Sequence, residues 1–336
     1  MKINTLVLSL FLLFTVVQNS ITNSDQTSLN EVKKEVLSIA EDRNIPALQL
    51  VIQTPTDSLH VNFHHPDLES QEVYGIGSST KLLVSVLVYH LAEKGKIDLN
   101  ETVVTYLDGL LPSDIEGFEG VTVKSLLNHT SGLADYTNNP AWITSVINNQ
   151  SPLSFKDKMS LVDTSLSNRG SFGYSNTNYL FIEQIVEQVT GENYLVVLNQ
   201  FYDDLQLEEI EIQHKNQTRP AYFATDDKAS SDVTMWVENY GYDGGIFSTA
   251  DELNKFLRKL FVDKEILSEK SLTDMQNWIP MAPMEIPIGE GKISGYGYGL
   301  MKLEYGEKVF LGHSGGTLKY QSFSFIVTKA IPALFY

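Results

Sequence analysis

The chain has 336 residues, of which 42% are hydrophobic, and a chain of this size can bury a substantial core as one α/β domain. Its formal net charge of -18 argues against a nucleic-acid-binding surface, because such surfaces depend on clustered Lys and Arg. The sequence contains no cysteine, which excludes disulfides, thiol nucleophiles and thiolate zinc sites. We therefore expect one globular unit that acts on a small-molecule or peptide substrate and does not bind nucleic acid.

The N-terminus has the pattern of a secretory signal. Lys2 precedes an apolar run over residues 6–17, and polar residues follow it. The run is shorter than the roughly 20 apolar residues that cross a bilayer, so no stable membrane span is expected. We predict a signal peptide over residues 1–20 and an exported protein, periplasmic or secreted. An uncleaved anchor remains the alternative, because no Ala-x-Ala-like cleavage triplet follows the run.

The first elements after this segment are a helix and two strands. Residues 29–43 carry apolar side chains at helical spacing and end before Pro46, which predicts an amphipathic helix. Residues 48–53 and 59–63 show strand patterns, and the turn-prone residues 54–57 between them predict a hairpin.

Helices dominate the middle of the chain. Residues 78–94 predict a strongly apolar and therefore buried helix. Several helical patterns separated by Gly, Pro and Asn predict a helical region over about 97–240, and another helix is predicted from Thr249 to about residue 261. After a Pro-rich stretch over 278–287 the sequence predicts three strands, at 298–304, 308–312 and 322–327. The pattern indicates an α/β (α+β) fold in which strands from both ends form a sheet around a mostly helical insert.

Ser78 and Lys81 form the only S-x-x-K match in the chain and open the apolar helix. A serine hydroxyl there lies at the positive end of the helix dipole, which favours an alkoxide or an oxyanion. Because residues i and i+3 share a helix face, the Lys81 amine can reach the Ser78 hydroxyl, and burial makes a lysine a better base. The pair indicates a serine nucleophile with a lysine base. The alternative is an N-cap serine followed by a surface lysine.

Two later motifs give this pair a context. Tyr174-Ser175-Asn176 precedes a further helical pattern, and His313-Ser314-Gly315-Gly316 ends a short predicted strand. The segment 136–138 also fits Y-x-N, but its position is less favourable. The ordered S-x-x-K, Y-x-N and H-x-G series resembles the serine β-lactamase and penicillin-binding-protein superfamily. The resemblance is to the branch of class C β-lactamases, D-alanyl-D-alanine carboxypeptidases and related esterases.

The resemblance covers residues 29–336 as one β-lactamase-related domain. Segments 96–99, 121–133 and 244–250 are further landmarks typical of the family. The resemblance implies a β-lactamase/transpeptidase-like fold with an antiparallel sheet flanked by helices. It also implies that the closing C-terminal helix is missing, because the chain stops at residues 331–336.

The resemblance assigns catalytic roles to three residues. Ser78 would form the acyl-enzyme, Lys81 would deprotonate it, and Tyr174 would carry the proton to and from the leaving group.

The resemblance gives the remaining motif residues binding and orienting roles. Asn176 would orient Lys81 and the substrate amide. His313, where most relatives have a lysine, would face the substrate carboxylate or the Tyr174 hydroxyl. Gly315 of the same motif would also bind or orient the substrate. The backbone N–H groups of Ser78 and Gly316 would form the oxyanion hole. No metal and no organic cofactor is implied.

The resulting functional prediction is a serine hydrolase, most consistent with a peptidase or esterase acting on a D-Ala-type peptide or a carboxylic ester. A β-lactamase is a weaker alternative, because a neutral histidine at position 313 does not hold a β-lactam carboxylate as a permanent lysine charge would. A catalytically silent or truncated member acting as a binding module is the other alternative.

The segment 312–316 also fits G-x-S-x-G, the nucleophile elbow of α/β-hydrolases. That fold needs an acid and a histidine after the elbow, and no Asp, Glu or His follows Gly315 in this chain. Ser314 is therefore not the predicted nucleophile.

Overall fold

The computed structural model describes residues 28–64, 73–111, 117–147, 153–163, 166, 169–212, 220–221, 231–232, 241–285, 291–317 and 320–330. The signal segment predicted at residues 1–20 and the chain end at 331–336, where a closing helix was expected to be missing, lie outside these ranges. Among the helices within them, none is both long and apolar enough to cross a bilayer.

The N-terminal elements form as predicted. Helix α1 (Leu29–Asp42) begins at a capping box, in which the Ser28 hydroxyl accepts from the Glu31 N–H and the Glu31 carboxylate accepts from the Ser28 N–H. Strands β1 (Ala47–Gln53) and β2 (Ser58–His64) pair as an antiparallel hairpin. Together these elements bury an apolar cluster formed mainly by Val32, Val36, Ala40, Ile45, Leu48, Ile52, Leu59 and Val61.

The apolar helix predicted at 78–94 is the centre of the main core. After the short strand β3 (Tyr74–Gly75), a 3₁₀ turn over Gly77–Ser79 leads into α2 (Thr80–Glu93). Burial extends over nearly the whole helix circumference, as the continuous apolar pattern predicts. Gly77 has a φ of +52°, and a Cβ there would lie 2.8 Å from the Gly316 backbone nitrogen, so the turn requires glycine.

Helices and short strands occupy the predicted helical region around residues 97–240. Its described helices are α3 (Val103–Leu107), α4 (Val123–Leu127), α5 (Pro140–Ile147), α6 (Phe155–Met159), α7 (Thr177–Thr190) and α8 (Tyr194–Asp204). Its described strands are β4 (Glu211–Ile212), β5 (Pro220–Ala221) and β6 (Ser231–Asp232). Beyond them lie β7 (Ile246–Ser248), α9 (Ala250–Leu257) with a π-helical extension over Arg258–Val262, and α10 (Glu269–Asp274). The helix predicted after Thr249 is therefore confirmed.

A five-stranded antiparallel sheet completes the fold. Its hydrogen-bonded order is β12-β11-β10-β9-β8. The bounds are β8 (Ile279–Glu285), β9 (Lys292–Tyr296), β10 (Met301–Tyr305), β11 (Lys308–Gly316) and β12 (Gln321–Ala330). The last three strands correspond to the predicted ones, although β10 begins at Met301 because residues 297–300 form a turn closed by Gly297 N–H and Leu300 C=O.

Two strands of this sheet were missed in the sequence. β8 contains Pro280 and Pro283, and these prolines had indicated a connection instead of a strand. β8 lies at the edge of the sheet and has a neighbouring strand on one side only. Proline is tolerated there, because the N–H that it lacks would have faced the open side. β9 was missed along with it, since a single short run beside a proline-rich segment gives a weak strand pattern.

The predicted fold class is confirmed, with one difference in the sheet. Antiparallel sheets flanked by helices are present, and strands come from both ends of the chain. However, among the described residues β1 and β2 hydrogen-bond with each other and do not join the five-stranded ladder. β1 packs against α9, and β2 packs against α1.

Candidate active site

The turn that carries Ser78 is tied to the end of β11 and to β12. The Ser79 hydroxyl donates to the His313 carbonyl oxygen at 3.2 Å. The Ser322 hydroxyl donates to the Ile76 carbonyl oxygen at 2.6 Å. A Cβ at Gly315 would lie 2.7 Å from the Ser78 backbone nitrogen, so glycine allows the strand to approach the turn this closely. These contacts place the S-x-x-K and H-x-G segments side by side.

Ser78 and Lys81 lie on one helix face, with Lys81 Nζ 3.2 Å from Ser78 Oγ. Lys81 is fully buried. Its Nζ also donates to the Asn176 side-chain oxygen at 2.8 Å and to the Asp243 carbonyl oxygen. A neutral amine has two N–H donors and one lone pair. With both donors used on the two carbonyl oxygens, the lone pair is directed to the Ser78 hydroxyl, as a general base requires.

Two opposing influences set the pKa of Lys81. Burial disfavours the ammonium form, and the negative charges of Asp243 and Asp135 partly offset this effect. The effect of burial is larger than that of the two charges, and the pKa of Lys81 falls from 10.5 to about 8. At pH 7 about a tenth of the lysine is then neutral, which makes Lys81 a usable base near neutral pH.

Tyr174 contacts the nucleophile from the other side. Its hydroxyl donates to Ser78 Oγ at 2.8 Å. Its ring packs against the His129 ring at a centroid distance of 4.3 Å and is 37% exposed at the cavity. The low-polarity surroundings raise the pKa of the Tyr174 hydroxyl, which therefore stays protonated. Tyr174 is thus arranged as a proton donor, while Lys81 is arranged as the base.

Asn176 holds Lys81 in place from the start of α7. Its Nδ2 donates to the Asp135 carboxylate at 3.0 Å and to the Thr137 hydroxyl at 3.2 Å. These two acceptors fix the orientation of the side-chain amide, so its oxygen must face Lys81. Thr137 belongs to residues 136–138, the second Y-x-N match. This segment therefore positions Asn176, and Tyr174 is the tyrosine that contacts Ser78.

The local backbone geometry indicates the direction of two N–H groups near Ser78 Oγ, those of Ser78 and Gly316. Ser78 lies in the first helical turn, where an N–H has no acceptor within the helix. The Thr317 N–H donates to the Tyr320 carbonyl in the β11–β12 connection, so strand alternation directs the Gly316 N–H to the opposite edge. On that edge β10 pairs only as far as Gly312. The Gly316 N–H therefore points into the cleft, where an oxyanion would lie.

Two buried histidines behind the cavity are neutral. Burial and the positive charge of Lys81 lower the pKa of His313 to about 3. Burial, followed by the charges of Lys81 and His313, holds the pKa of His129 well below 6.5. A neutral imidazole donates from one ring nitrogen and accepts at the other, so hydrogen-bond partners determine its tautomer.

These histidines belong to a hydrogen-bond chain of fixed direction. The Ser175 N–H donates to His129 Nδ1 at 3.2 Å, which leaves the His129 proton on Nε2. His129 Nε2 lies 3.2 Å from the Tyr296 hydroxyl and donates to it. The Tyr296 hydroxyl in turn donates to His313 Nε2 at 2.9 Å, and His313 Nδ1 donates to the Ser314 carbonyl at 2.6 Å. The chain links the Y-x-N segment to β11.

The position of His313 differs from the sequence-based expectation. Its side chain is fully buried and contacts Tyr296, whereas the resemblance implies that it faces a substrate carboxylate or the Tyr174 hydroxyl. The difference arises because Tyr296 stands between this imidazole and the cavity. His129, which lies in the 121–133 landmark, accepts at Nδ1 from the Ser175 N–H of the Y-x-N segment.

Ser314 lies inside strand β11, which continues directly into the β11–β12 connection. A nucleophile elbow instead places its serine on a sharp turn between a strand and a helix. The Ser314 hydroxyl lies 3.6 Å from the Met301 sulfur. Ser314 therefore lacks both the backbone setting and the base that an elbow serine requires.

A cavity of about 410 Å³ opens beside Ser78. Its size is within the usual range of small-molecule sites. Polar groups come from Ser78, Ser314 and the start of β12. Apolar and aromatic side chains form the larger part of its wall: Phe172, Tyr174, Met281, Met284, Tyr296, Met301 and Phe323.

Several residues of the site were not found in the sequence, among them Asp135, Asp243 and Tyr296. Asp243 is buried, with its carboxylate accepting from the Tyr136 hydroxyl at 2.6 Å and from the Gly241 N–H at 2.9 Å. Asp135 follows the 121–133 landmark and Asp243 precedes the 244–250 landmark. This position beside a family landmark was the signal in the sequence that could have identified the two aspartates as site residues. Within the described ranges, no group of three His, Asp or Glu side chains is arranged to hold a metal ion.

Known proteins share both the sequence pattern and the fold. The family model described as Beta-lactamase matches residues 41–331. Penicillin-binding protein 4* of Bacillus subtilis (strain 168) is 23% identical over 276 residues, which are 74% of this chain and 56% of that protein. Protein flp of Staphylococcus aureus (strain MW2) is 25% identical over 203 residues, 58% of this chain and 39% of that protein. The chain thus spans about half the length of these relatives, or less.

Solved structures extend the similarity to the fold. A D-stereospecific amidohydrolase from Streptomyces sp. has a TM-score of 0.71 at 24% sequence identity. The superposition covers 84% of this chain and 86% of the amidohydrolase chain. The D-amino acid amidase from Ochrobactrum anthropi SV3, complexed with L-phenylalanine amide, has a TM-score of 0.70 at 23% identity, with coverages of 86% and 85%. Because the family model extends over most of the residues and the fold agrees, the chain belongs to the Beta-lactamase family.

Proposed function

We propose that the protein is a serine hydrolase that forms an acyl-enzyme on Ser78 and acts as a peptidase or esterase. The observation that carries this proposal is the position of the Ser78 hydroxyl. It lies 3.2 Å from a buried amine with a pKa of about 8 and 2.8 Å from a protonated tyrosine hydroxyl. A nucleophile between a base and a proton donor is the arrangement that acyl transfer needs.

Acylation follows from this arrangement. Neutral Lys81 takes the Ser78 proton as Oγ attacks the scissile carbonyl carbon, and the Ser78 and Gly316 N–H groups stabilise the oxyanion. When the tetrahedral intermediate collapses, Tyr174 donates its proton to the leaving nitrogen or oxygen. The proton held by Lys81 then restores the Tyr174 hydroxyl. In deacylation, water follows the same path in reverse and releases the acid.

The substrate class we propose is a D-amino-acid amide or peptide or a carboxylic ester. Support comes from the printed names of the structural neighbours, a D-stereospecific amidohydrolase and a D-amino acid amidase. The buried, neutral His313 also argues against a β-lactamase, because a β-lactam carries a carboxylate that this imidazole does not reach. We further propose that the protein is exported, as the N-terminal pattern predicts.

Labelling with a fluorophosphonate probe tests the mechanism. Attack of Ser78 Oγ on phosphorus forms an O–P bond and releases fluoride, and peptide mass analysis locates the adduct. We expect an adduct on Ser78 in the wild-type chain and in Ser314→Ala, and no adduct in Ser78→Ala. Labelling of Ser314 would contradict the proposed nucleophile, and no labelling of folded protein would favour the catalytically silent alternative.

A further inference from the structure

The wall of the cavity beside Ser78 contains three methionine side chains. Met281 and Met284 come from edge strand β8, Met301 begins β10 and Phe323 lies on β12. Methionine is flexible and polarizable, so a wall containing three of them adapts its shape to different apolar groups. Phe172 adds an aromatic face, and all five side chains border the same cavity.

Charge is the second distinguishing property of this wall. Among the described residues that line the cavity, none has a charged side chain. The cation behind Ser78, Lys81, is fully buried, does not line the cavity, and has its Nζ hydrogen-bonded to Ser78, Asn176 and Asp243. His313 is fully buried and neutral, and Tyr296 lies between it and the cavity. A carboxylate entering this space would lose hydration without gaining an ion pair, which is costly in an apolar site.

The size of the cavity sets what fits. The volume is about 410 Å³, whereas an apolar cavity of roughly 150 Å³ is enough to bind benzene. The space therefore accommodates one aromatic ring or an alkyl chain of about six carbons together with the scissile group. Such a group would bury its surface against the methionines and Phe323.

We propose that the preferred substrate of this site carries an uncharged apolar group, an alkyl chain or an aromatic ring, beside the scissile carbonyl, and no carboxylate at that position. This proposal rests on the proposed function and adds the substrate class. It separates the protein from enzymes that recognise a substrate by its free carboxylate. The apolar wall, not a cation, would supply the binding energy.

Boronic acids test the proposal because each molecule carries a single substituent, which must occupy whichever space beside Ser78 accepts it. Addition of Ser78 Oγ to boron forms an O–B bond and a tetrahedral boronate, and the serine proton passes to Lys81. Protection of Ser78 from the fluorophosphonate probe gives the inhibition constant of each compound. The series is propylboronic acid, hexylboronic acid and 5-carboxypentylboronic acid.

The expected result is a steep dependence on apolar length. Burial of one methylene improves affinity about fourfold, so hexylboronic acid, with three more methylenes, should bind about 60-fold more tightly than propylboronic acid. The carboxylate compound should bind at least about tenfold more weakly than hexylboronic acid. Equal affinities across the alkyl pair, or tighter binding of the carboxylate compound, would overturn the proposal.

A charge substitution locates the effect in the cavity. Met284 is 47% exposed, so Met284→Lys adds a cation to the wall with little disturbance of packing. We expect Met284→Lys to reduce the preference for hexylboronic acid over the carboxylate compound by about tenfold or more. Val327→Lys is the matched control, because Val327 is 42% exposed on β12 and does not line the cavity. An equal effect of both substitutions would place the preference elsewhere.

Binding without chemistry separates this proposal from the proposed function. In the Ser78→Ala protein, NMR titration compares hexanamide with adipamate, in which a carboxylate replaces the terminal methyl group. Tighter binding of hexanamide supports the apolar site even when the probe fails to label Ser78. Tighter binding of adipamate refutes it even when Ser78 is the nucleophile.

Discussion

Lys81 and the pair formed by His129 and His313 are buried basic groups in neighbouring parts of one cleft, yet their charge states differ. Asp243 and Asp135 act on Lys81 and keep its pKa at about 8, so its two protonation states exchange near neutral pH. The histidines experience burial and the Lys81 charge, and both pKa values fall far below 6.5. Burial lowers the pKa in both regions, but a lysine starts from 10.5 and a histidine from 6.5, so only the pKa of Lys81 stays close to neutral pH. The carboxylates beside Lys81 limit its fall.

The comparison shows how one cleft separates proton transfer from positioning. A base that works at pH 7 needs a pKa close to that value, which Lys81 has. The neutral histidines have fixed tautomers and connect the Y-x-N segment to β11 through Tyr296. In the proposed mechanism, proton transfer therefore belongs to Lys81, and the histidine pair maintains the geometry of the cleft.

The largest expected effect is loss of the base. Lys81→Met keeps the length and apolar stem of the side chain but removes the amine that lies 3.2 Å from Ser78 Oγ. We expect kcat/KM for a p-nitrophenyl ester to fall about 10²- to 10⁴-fold, the usual contribution of a general base. Lys124→Met is the control, because Lys124 forms an ion pair with Asp274 outside the cleft. Wild-type activity in Lys81→Met would exclude Lys81 as the base.

Removal of one hydroxyl tests the histidine pair. Tyr296→Phe leaves His129 Nε2–H and His313 Nε2 without their shared partner. Each unpaired buried group costs about 1–3 kcal/mol in the free energy of unfolding. We expect kcat to fall about tenfold to 100-fold with a smaller change in KM, because a misplaced cleft wall impairs the aligned transition state.

A matched tyrosine separates positioning from general stability. Tyr89 is also buried, and its hydroxyl donates to the Asp274 carboxylate at 2.9 Å, outside the cleft. Tyr89→Phe should lower stability and leave kcat within about twofold of wild type. Nitrogen NMR shifts should show altered histidine tautomers in Tyr296→Phe alone. Equal losses of kcat in both variants would assign Tyr296 a purely structural role.

A pH profile tests how the neighbouring carboxylates affect the pKa of Lys81. In the wild-type protein, kcat/KM should rise about tenfold per pH unit up to about pH 8 and then level off, because the neutral amine is the active form. Asp243→Asn removes the larger of the two favourable charges, which lowers the pKa of Lys81 and moves the rising limb toward lower pH by about one pH unit. A limb that stays in place or moves to higher pH would contradict this account.

Local patterns made much of the fold and the centre of the site predictable. Helical spacing predicted α1 and α2, and the ordered motifs identified Ser78, Lys81, Tyr174 and Asn176, which the structure brings together. A motif of three or four residues places its side chains on one element, so its chemistry is visible without the fold.

Residues that act through tertiary contacts were not predictable in this way. Asp243 reaches Lys81 across 162 positions and Tyr296 reaches His129 across 167, so no local spacing connects them. The placement of His313 was missed for the same reason, because its burial depends on Tyr296 from another strand. β8 was missed because its prolines are acceptable only at a sheet edge, which is a property of the assembled sheet.

The smallest effect we expect concerns stability on the acid side of neutrality. His129 and His313 have pKa values in the folded state below the 6.5 of an unfolded histidine, so the unfolded chain binds more protons as the pH falls below 6.5. Glu183 acts in the opposite direction. Its burial raises its pKa from 4.5 to about 7, so its contribution to stability is complete below pH 4.5 and is lost as the pH rises through 7.

Between pH 5 and 6 the two histidines outweigh the single glutamate by about one proton. The free energy of unfolding should therefore fall by about 1.4 kcal/mol for each pH unit of acidification, as measured by urea denaturation. Glu183→Gln removes the opposing group and should make this dependence about twice as steep. If stability is flat from pH 5 to 6 in both proteins, the histidines already carry their charge in the folded state, and their role as neutral elements of the cleft fails.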